Sequence, residues 1–81
     1  MIDLPYSLVI EATEDPDYFS FYSPDLEGFT GSGRSVDDCL AQARGGMKEH
    51  LDLLAQQGLP IPPRSADPVV TIRDDRRDAV A

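Results

Sequence analysis

The side chains that could do nucleophilic or acid–base chemistry are few in this sequence. It contains one histidine, His50, and one cysteine, Cys39. A nucleophilic site needs a serine or cysteine paired with a base, and no spacing to His50 indicates such a pair. Cys39 lies next to Asp38, which disfavours a thiolate, so we expect an inert thiol. One histidine and one cysteine are too few for a zinc site, and we predict no metal ion.

Carboxylates are the other candidates for catalysis. Glu11 and Asp25 could approach each other as a pair for acid–base or metal-assisted hydrolysis. Acids without a recognisable spacing usually belong to a solvated surface, so a residual nuclease or hydrolase activity ranks last. We predict that the protein is not an enzyme.

A glycine-rich segment, GSG at positions 31–33, lies directly before a predicted helix, where a phosphate could bind. The segment lacks the GxGxxG and Walker spacings, no lysine follows at the required distance, and acids occupy the start of the helix. We therefore expect no nucleotide or other cofactor.

One long helix, predicted from Ser35 to Gly58, must position these residues. Ser35 can cap the helix and Asp38 lies three residues later, as in a capping box. Gly58 suits the position after the last turn, and Pro60 prevents continuation. Apolar residues recur every three or four positions and form one stripe: Val36, Leu40, Ala43, Met47, Leu51 and Leu54.

Two adjacent glycines, Gly45 and Gly46, lie inside this helix, where each costs about 1 kcal/mol relative to alanine. Gly45 faces solvent in the predicted register, and Gly46 flanks the apolar stripe. The helix bends here, or another backbone comes close, or these positions tolerate glycine; the sequence leaves the three alternatives open.

Four short strands are predicted around the helix, at 6–12, 18–23, 29–34 and 69–72. Turn residues join the first two strands in a hairpin and lead tightly into the third. The stiff linker LPIPP at 59–63 leads to the last strand, which we expect to run parallel to a neighbour. The predicted fold class is α+β in the order β-β-β-α-β, an antiparallel three-stranded meander, one long helix and a final strand.

The charge of the chain is uneven along its length. A length of 81 residues suits one domain, placed at 1–73 and followed by a flexible tail at 74–81. Residues 1–38 hold nine acids and one base, whereas 39–81 hold six of each. Such a surface repels nucleic acid and attracts a basic protein, although acidity can also serve solubility alone.

The compartment follows from composition. No apolar run is long enough to span a membrane, and the first residues lack the basic region of a signal peptide. A single cysteine fits a reducing compartment. We expect a cytoplasmic protein.

The second predicted strand is apolar on both faces, so the helix can cover only part of its side chains. A domain this small gains stability from association, and we predict a homodimer or larger homo-oligomer. The linker could place the last strand on a partner's sheet. Alternatively, the aromatic side chains await another protein and the free chain is monomeric. The residues predicted at the interface are Tyr18, Phe19, Phe21, Tyr22, Val69, Val70 and Ile72.

Several short motifs follow one another in a characteristic order along residues 6–63. They are an apolar first strand, SPDLEG at 23–28, TGSG at 30–33, a helix opened by Ser35 with acids, and an exit from Gly58 to Pro62. In this order they resemble the HicB family of bacterial antitoxins. The resemblance implies a truncated ribonuclease-H-like fold without that enzyme's catalytic acids. It also implies a partner, a small basic RNA-cleaving toxin of the HicA type, which relatives bind and occlude.

Two functions remain open under this resemblance. The first is an antitoxin of a type II toxin–antitoxin system, and the second is a stand-alone HicB-like oligomeric binding or regulatory module without a toxin. Many family members add a C-terminal DNA-binding domain, whereas nine residues follow Ile72 here, so we expect no direct DNA binding. Acidic loops would steer a basic toxin, and the predicted contacts are Glu14, Asp15, Asp17, Asp25 and Glu27.

Overall fold

The computed structural model describes residues 4–74, which form four strands and one helix. In chain order they are β1 (Leu8–Ala12), β2 (Phe19–Tyr22), β3 (Thr30–Gly33), α1 (Val36–Gln56) and β4 (Val70–Arg73). The predicted order is confirmed, and each end lies within two residues of its predicted position. Residues 75–81, which make up most of the predicted tail, lie outside the described residues.

The four strands form one mixed sheet in the order β3-β2-β1-β4. β1 pairs antiparallel with β2, and β2 pairs antiparallel with β3, as a meander requires. β4 pairs parallel with β1, with Leu8 opposite Val70 and Ile10 opposite Ile72. The prediction that the final strand runs parallel to a neighbour is therefore confirmed, because a helical crossover returns the chain to the end where β1 begins.

The helix α1 begins directly after its predicted cap, Ser35, and ends two residues before Gly58. The Ser35 Oγ accepts a hydrogen bond from the Asp38 N–H at 3.0 Å, and the Asp38 carboxylate accepts one from the Arg34 N–H at 2.9 Å. After the last turn, Gly58 has a φ of +68°, which glycine adopts without strain. No helix within residues 4–74 combines the length and the apolar composition needed to cross a membrane.

The hydrophobic core lies between α1 and one face of the sheet. Leu8 and Ile10 of β1 are fully buried, and they share the core with Ala43 and Met47 of the helix. α1 packs mainly over β3 and β2, so β4 lies at the edge of the sheet beyond the main cover of the helix. Ile72 of β4 is accordingly 53% exposed, although it pairs with the buried Ile10.

The aromatic residues of the second strand alternate between the two faces of the sheet. Phe21 is 4% exposed and belongs to the core, and Phe19 packs against the core on the same face. Phe21 fits because it lies opposite Gly31 of β3, where a Cβ would overlap with the phenyl ring. Alternation then leaves Tyr22 as the aromatic residue of β2 on the face away from α1, opposite Val9. Of the residues predicted at the interface, Phe21 is therefore buried within one chain.

The two helix glycines have different surroundings. A Cβ at Gly46 would lie 3.1 Å from the Phe29 Cε1, so a side-chain ring comes close at this position. A Cβ at Gly45 would meet nothing within 4 Å. Gly46 therefore serves the packing of Phe29, and Gly45 has no packing reason to be glycine.

Replacing Gly45 with alanine is expected to raise the free energy of unfolding by about 1 kcal/mol, because alanine has the higher helix propensity at an open position. Gly46→Ala is the matched control, because alanine has the same advantage in helix propensity at this position but its Cβ must crowd Phe29. Urea denaturation measures both. A smaller gain for Gly45→Ala than for Gly46→Ala would contradict this packing.

Candidate functional site

The five acids predicted to touch a toxin lie on exposed loops, but they form two groups. Glu14, Asp15 and Asp17 lie in the turn between β1 and β2, whereas Asp25 and Glu27 lie between β2 and β3. The two loops flank β2, so the groups lie at opposite ends of the sheet. The four residues of β2 separate them by roughly 13 Å. One flat contact would not engage both groups equally.

The turn between β1 and β2 uses part of its charge for its own structure. The Asp15 Oδ1 accepts a hydrogen bond from the Asp17 N–H at 2.9 Å. The Thr13 hydroxyl donates to the Tyr18 carbonyl at 2.8 Å and closes the same turn. Glu14 and Asp17 are exposed beside it, so this end of the sheet carries charge but little apolar surface apart from Tyr18.

At the other end of the sheet, side-chain hydrogen bonds tie the loop after β2 to the start of β1. The Ser23 Oγ donates to the Ser7 carbonyl at 2.7 Å, and the Asp25 carboxylate accepts from the Ser7 N–H at 3.0 Å. The Ser7 Oγ in turn accepts from the Val69 N–H at 3.0 Å, which fixes the approach to β4. Asp25 therefore has a structural role. Glu27 has no hydrogen bond or ion pair within the described part of the chain.

An apolar groove opens at this same end, between the last turns of α1 and the proline-rich linker. Its volume is about 520 Å³. Leu26, which is 1% exposed, lies at its base, whereas Leu59 and Ile61 are 47% and 51% exposed. We call it the proline groove, and its lining residues are Leu26, Glu27, Leu54 and 59–63.

The linker wall of the proline groove is held by contacts that are distant in sequence. The buried Tyr6 donates its hydroxyl to the Pro62 carbonyl at 2.6 Å. The Ser65 N–H donates to the Pro5 carbonyl at 2.9 Å. Proline φ angles are fixed by the ring, so the wall loses little freedom when something binds against it.

The residues that could do chemistry are kept apart. His50 presents its ring to Phe29 edge to face, with centroids 5.9 Å apart. Cys39 is fully buried, and this burial, followed by the charge of Asp38, raises the pKa of its thiol. Glu11 lies 3.9 Å from Arg73 across β1 and β4, at the end of β1 away from Asp25. Residues 4–74 contain no group of three His, Cys, Asp or Glu side chains that could hold a metal ion.

The sequence predicted the charged loops but not the groove beside one of them. The sequence predicts only a linker at 59–63, because nothing local shows that Tyr6 holds this segment from 56 positions away. No protein-family model, no curated protein and no solved structure matches this chain.

Proposed function

We propose that this chain is an antitoxin that binds and neutralises a small basic RNA-cleaving toxin of the HicA type, as part of a bacterial type II toxin–antitoxin system. The observation that carries the proposal is the surface of the sheet ends. Exposed acids occupy both ends, and at one of them Glu27 lines a groove together with the half-exposed Leu59 and Ile61. Acidic and apolar surface together suit a basic protein partner.

The fold and the sequence resemblance support the same proposal. The order β-β-β-α-β and the capped helix agree with a truncated ribonuclease-H-like domain of the HicB type. The chain has no catalytic role in this proposal, because His50, Cys39, Glu11 and Asp25 lie apart and each packs or pairs within the fold. We place its action in the cytoplasm, where the RNA substrates of such a toxin occur, and without direct binding to DNA.

Co-elution tests this proposal. The chain is mixed with each small basic protein encoded next to it, at about 10 µM, and run on a size-exclusion column. A shared peak with a defined stoichiometry is the expected result. Separate elution with every such protein would contradict the antitoxin proposal and favour the alternative, a stand-alone HicB-like module without a toxin.

Both the antitoxin and the stand-alone module are proposed to form homo-oligomers. The surface that favours this association is the edge strand β4. Val69 and Ile72 are each about half exposed, and β4 has no neighbour on its outer side among the described residues. An apolar edge strand readily pairs with a second chain, and a two-fold pairing of β4 would extend the sheet. Of the predicted interface residues, Val69, Val70 and Ile72 lie at this edge, whereas Tyr18 and Tyr22 lie away from it on β2 and its turn.

Replacing Ile72 with lysine is expected to convert the protein from a dimer into a monomer, because a charge on the edge opposes strand pairing. Light scattering across a dilution series measures the mass. Tyr18→Lys is the control and should leave the dimer intact, because Tyr18 is similarly exposed but lies in the turn between β1 and β2, away from the β4 edge. A mass near that of one chain for the unmodified protein at tens of micromolar would contradict the dimer.

A further inference from the structure

The proline groove has the size and composition of a binding site for side chains. Its volume of about 520 Å³ falls within the range of small-molecule and side-chain pockets. Leucine, isoleucine and proline line most of it, and two of these side chains are about half exposed. Apolar surface arranged as a concave groove gains more from a partner's apolar side chain than from water.

The groove is shaped before anything binds. The Tyr6 hydroxyl and the Pro5 carbonyl hold the linker, and the base of the groove is the buried Leu26. Two hydrogen bonds hold the loop that carries Leu26 and Glu27: the Ser23 Oγ donates to the Ser7 carbonyl, and the Ser7 N–H donates to the Asp25 carboxylate. Because both walls are fixed, a ligand would not have to order them, which favours binding even by a short segment.

The charge at the groove selects the chemistry of its occupant. Glu27 is the one charged residue that lines it, and this exposed carboxylate has no partner within residues 4–74. Asp25 adds a second acid on the same loop. Arg64 directly follows the linker in sequence but does not line the groove. In a segment with an apolar side chain next to a lysine or arginine, the apolar side chain can fill the groove while the basic side chain pairs with the Glu27 carboxylate.

We propose that the proline groove receives an apolar side chain from a basic protein segment, with a neighbouring lysine or arginine paired to Glu27. The inference rests on the proposed function, since it assigns to this groove the anchor point of the basic partner. It singles out one end of the sheet, and it gives the acids in the turn between β1 and β2 no part in anchoring.

A peptide titration followed by NMR tests the groove directly. The probe is a seven-residue peptide in which two leucines are flanked by lysines and arginines, added up to about 2 mM to the ¹⁵N-labelled chain. Amide shifts are expected at Glu27, Leu59 and Ile61. A counterpart peptide with glutamate at every basic position should give none of these shifts, because it would face Glu27 with like charge.

Serine substitutions of exposed apolar residues inside and outside the groove provide matched variants. Ile61→Ser should weaken the basic peptide at least about fivefold by removing half-exposed apolar surface from the groove. Leu53→Ser, at a residue of nearly equal exposure that does not line this groove, should leave the affinity unchanged. Leu59→Ser repeats the test from the other exposed side chain of the groove.

Two results would overturn the inference. One is the absence of peptide-induced shifts at the groove, and the other is equal weakening by Ile61→Ser and Leu53→Ser. Neither bears on co-elution with a toxin. If the Ile61→Ser variant co-elutes with the basic protein as well as the unmodified chain does, the proposed function stands and this anchor point is wrong. If the unmodified chain fails to co-elute, the proposed function itself is wrong.

Discussion

Replacing Met47 with alanine is expected to lower the free energy of unfolding by about 2–5 kcal/mol, because the change leaves a cavity in a packed core. Met47 is 0% exposed and belongs to the same buried cluster as Leu8 and Ile10 of the sheet. The whole stability of a domain this size is roughly 4–12 kcal/mol, so the variant would lose a large share of it. Urea denaturation followed by circular dichroism provides the measurement.

Two further substitutions keep this prediction testable even where the alanine variant unfolds. Met47→Leu conserves volume and should cost less than about 1.5 kcal/mol. Leu53→Ala, on the same helix but 50% exposed, should change stability by less than about 0.5 kcal/mol. Equal losses at Met47 and Leu53 would contradict the placement of the core.

Replacing Glu27 with lysine is expected to slow association with the basic partner by roughly tenfold at low salt, because the reversal places like charges face to face. The effect should shrink as salt is raised, since an exposed charge is screened. Stopped-flow mixing of the chain with the small basic protein that co-elutes with it measures the rate.

The control for Glu27 lies at the opposite end of the sheet. Glu14→Lys makes the same change in net charge, on the turn between β1 and β2. It should slow association by no more than about twofold if the partner approaches the end that carries the proline groove. Equal slowing by both variants would mean that overall charge, and not this end of the sheet, steers the partner.

Much of the fold could be predicted because its signals are local. Ser35 and Asp38 mark the start of α1, and Gly58 marks its end, through hydrogen bonds or dihedral angles that involve only neighbouring residues. The parallel final strand also followed, because a helix between two strands of one sheet returns the chain to the same end.

The features that could not be predicted depend on contacts far apart in sequence. Alternation alone does not decide which aromatic residues of an apolar strand face the core. Here Phe21 faces inward and occupies the space above Gly31 on the neighbouring strand. The separation of the five acids into two groups likewise depends on which loops share an end of the sheet, a property of topology and not of spacing.

For the same reason, only the acidic part of the candidate site could be predicted from the sequence. Charge indicated the acidic loops, but one wall of the proline groove is held by the hydrogen bond from the Tyr6 hydroxyl to the Pro62 carbonyl. A buried tyrosine and a proline-rich linker carry no mark in the sequence that pairs them. The apolar part of the candidate site is therefore a tertiary feature.

RNA cleavage measures the central claim most directly. A small basic protein encoded beside this chain is incubated with RNA, alone and with increasing amounts of the chain, and the intact RNA is quantified. The proposal predicts that cleavage stops when the chain reaches the amount needed to bind all of the basic protein. Undiminished cleavage in the presence of excess chain would contradict the claim that this protein neutralises a toxin.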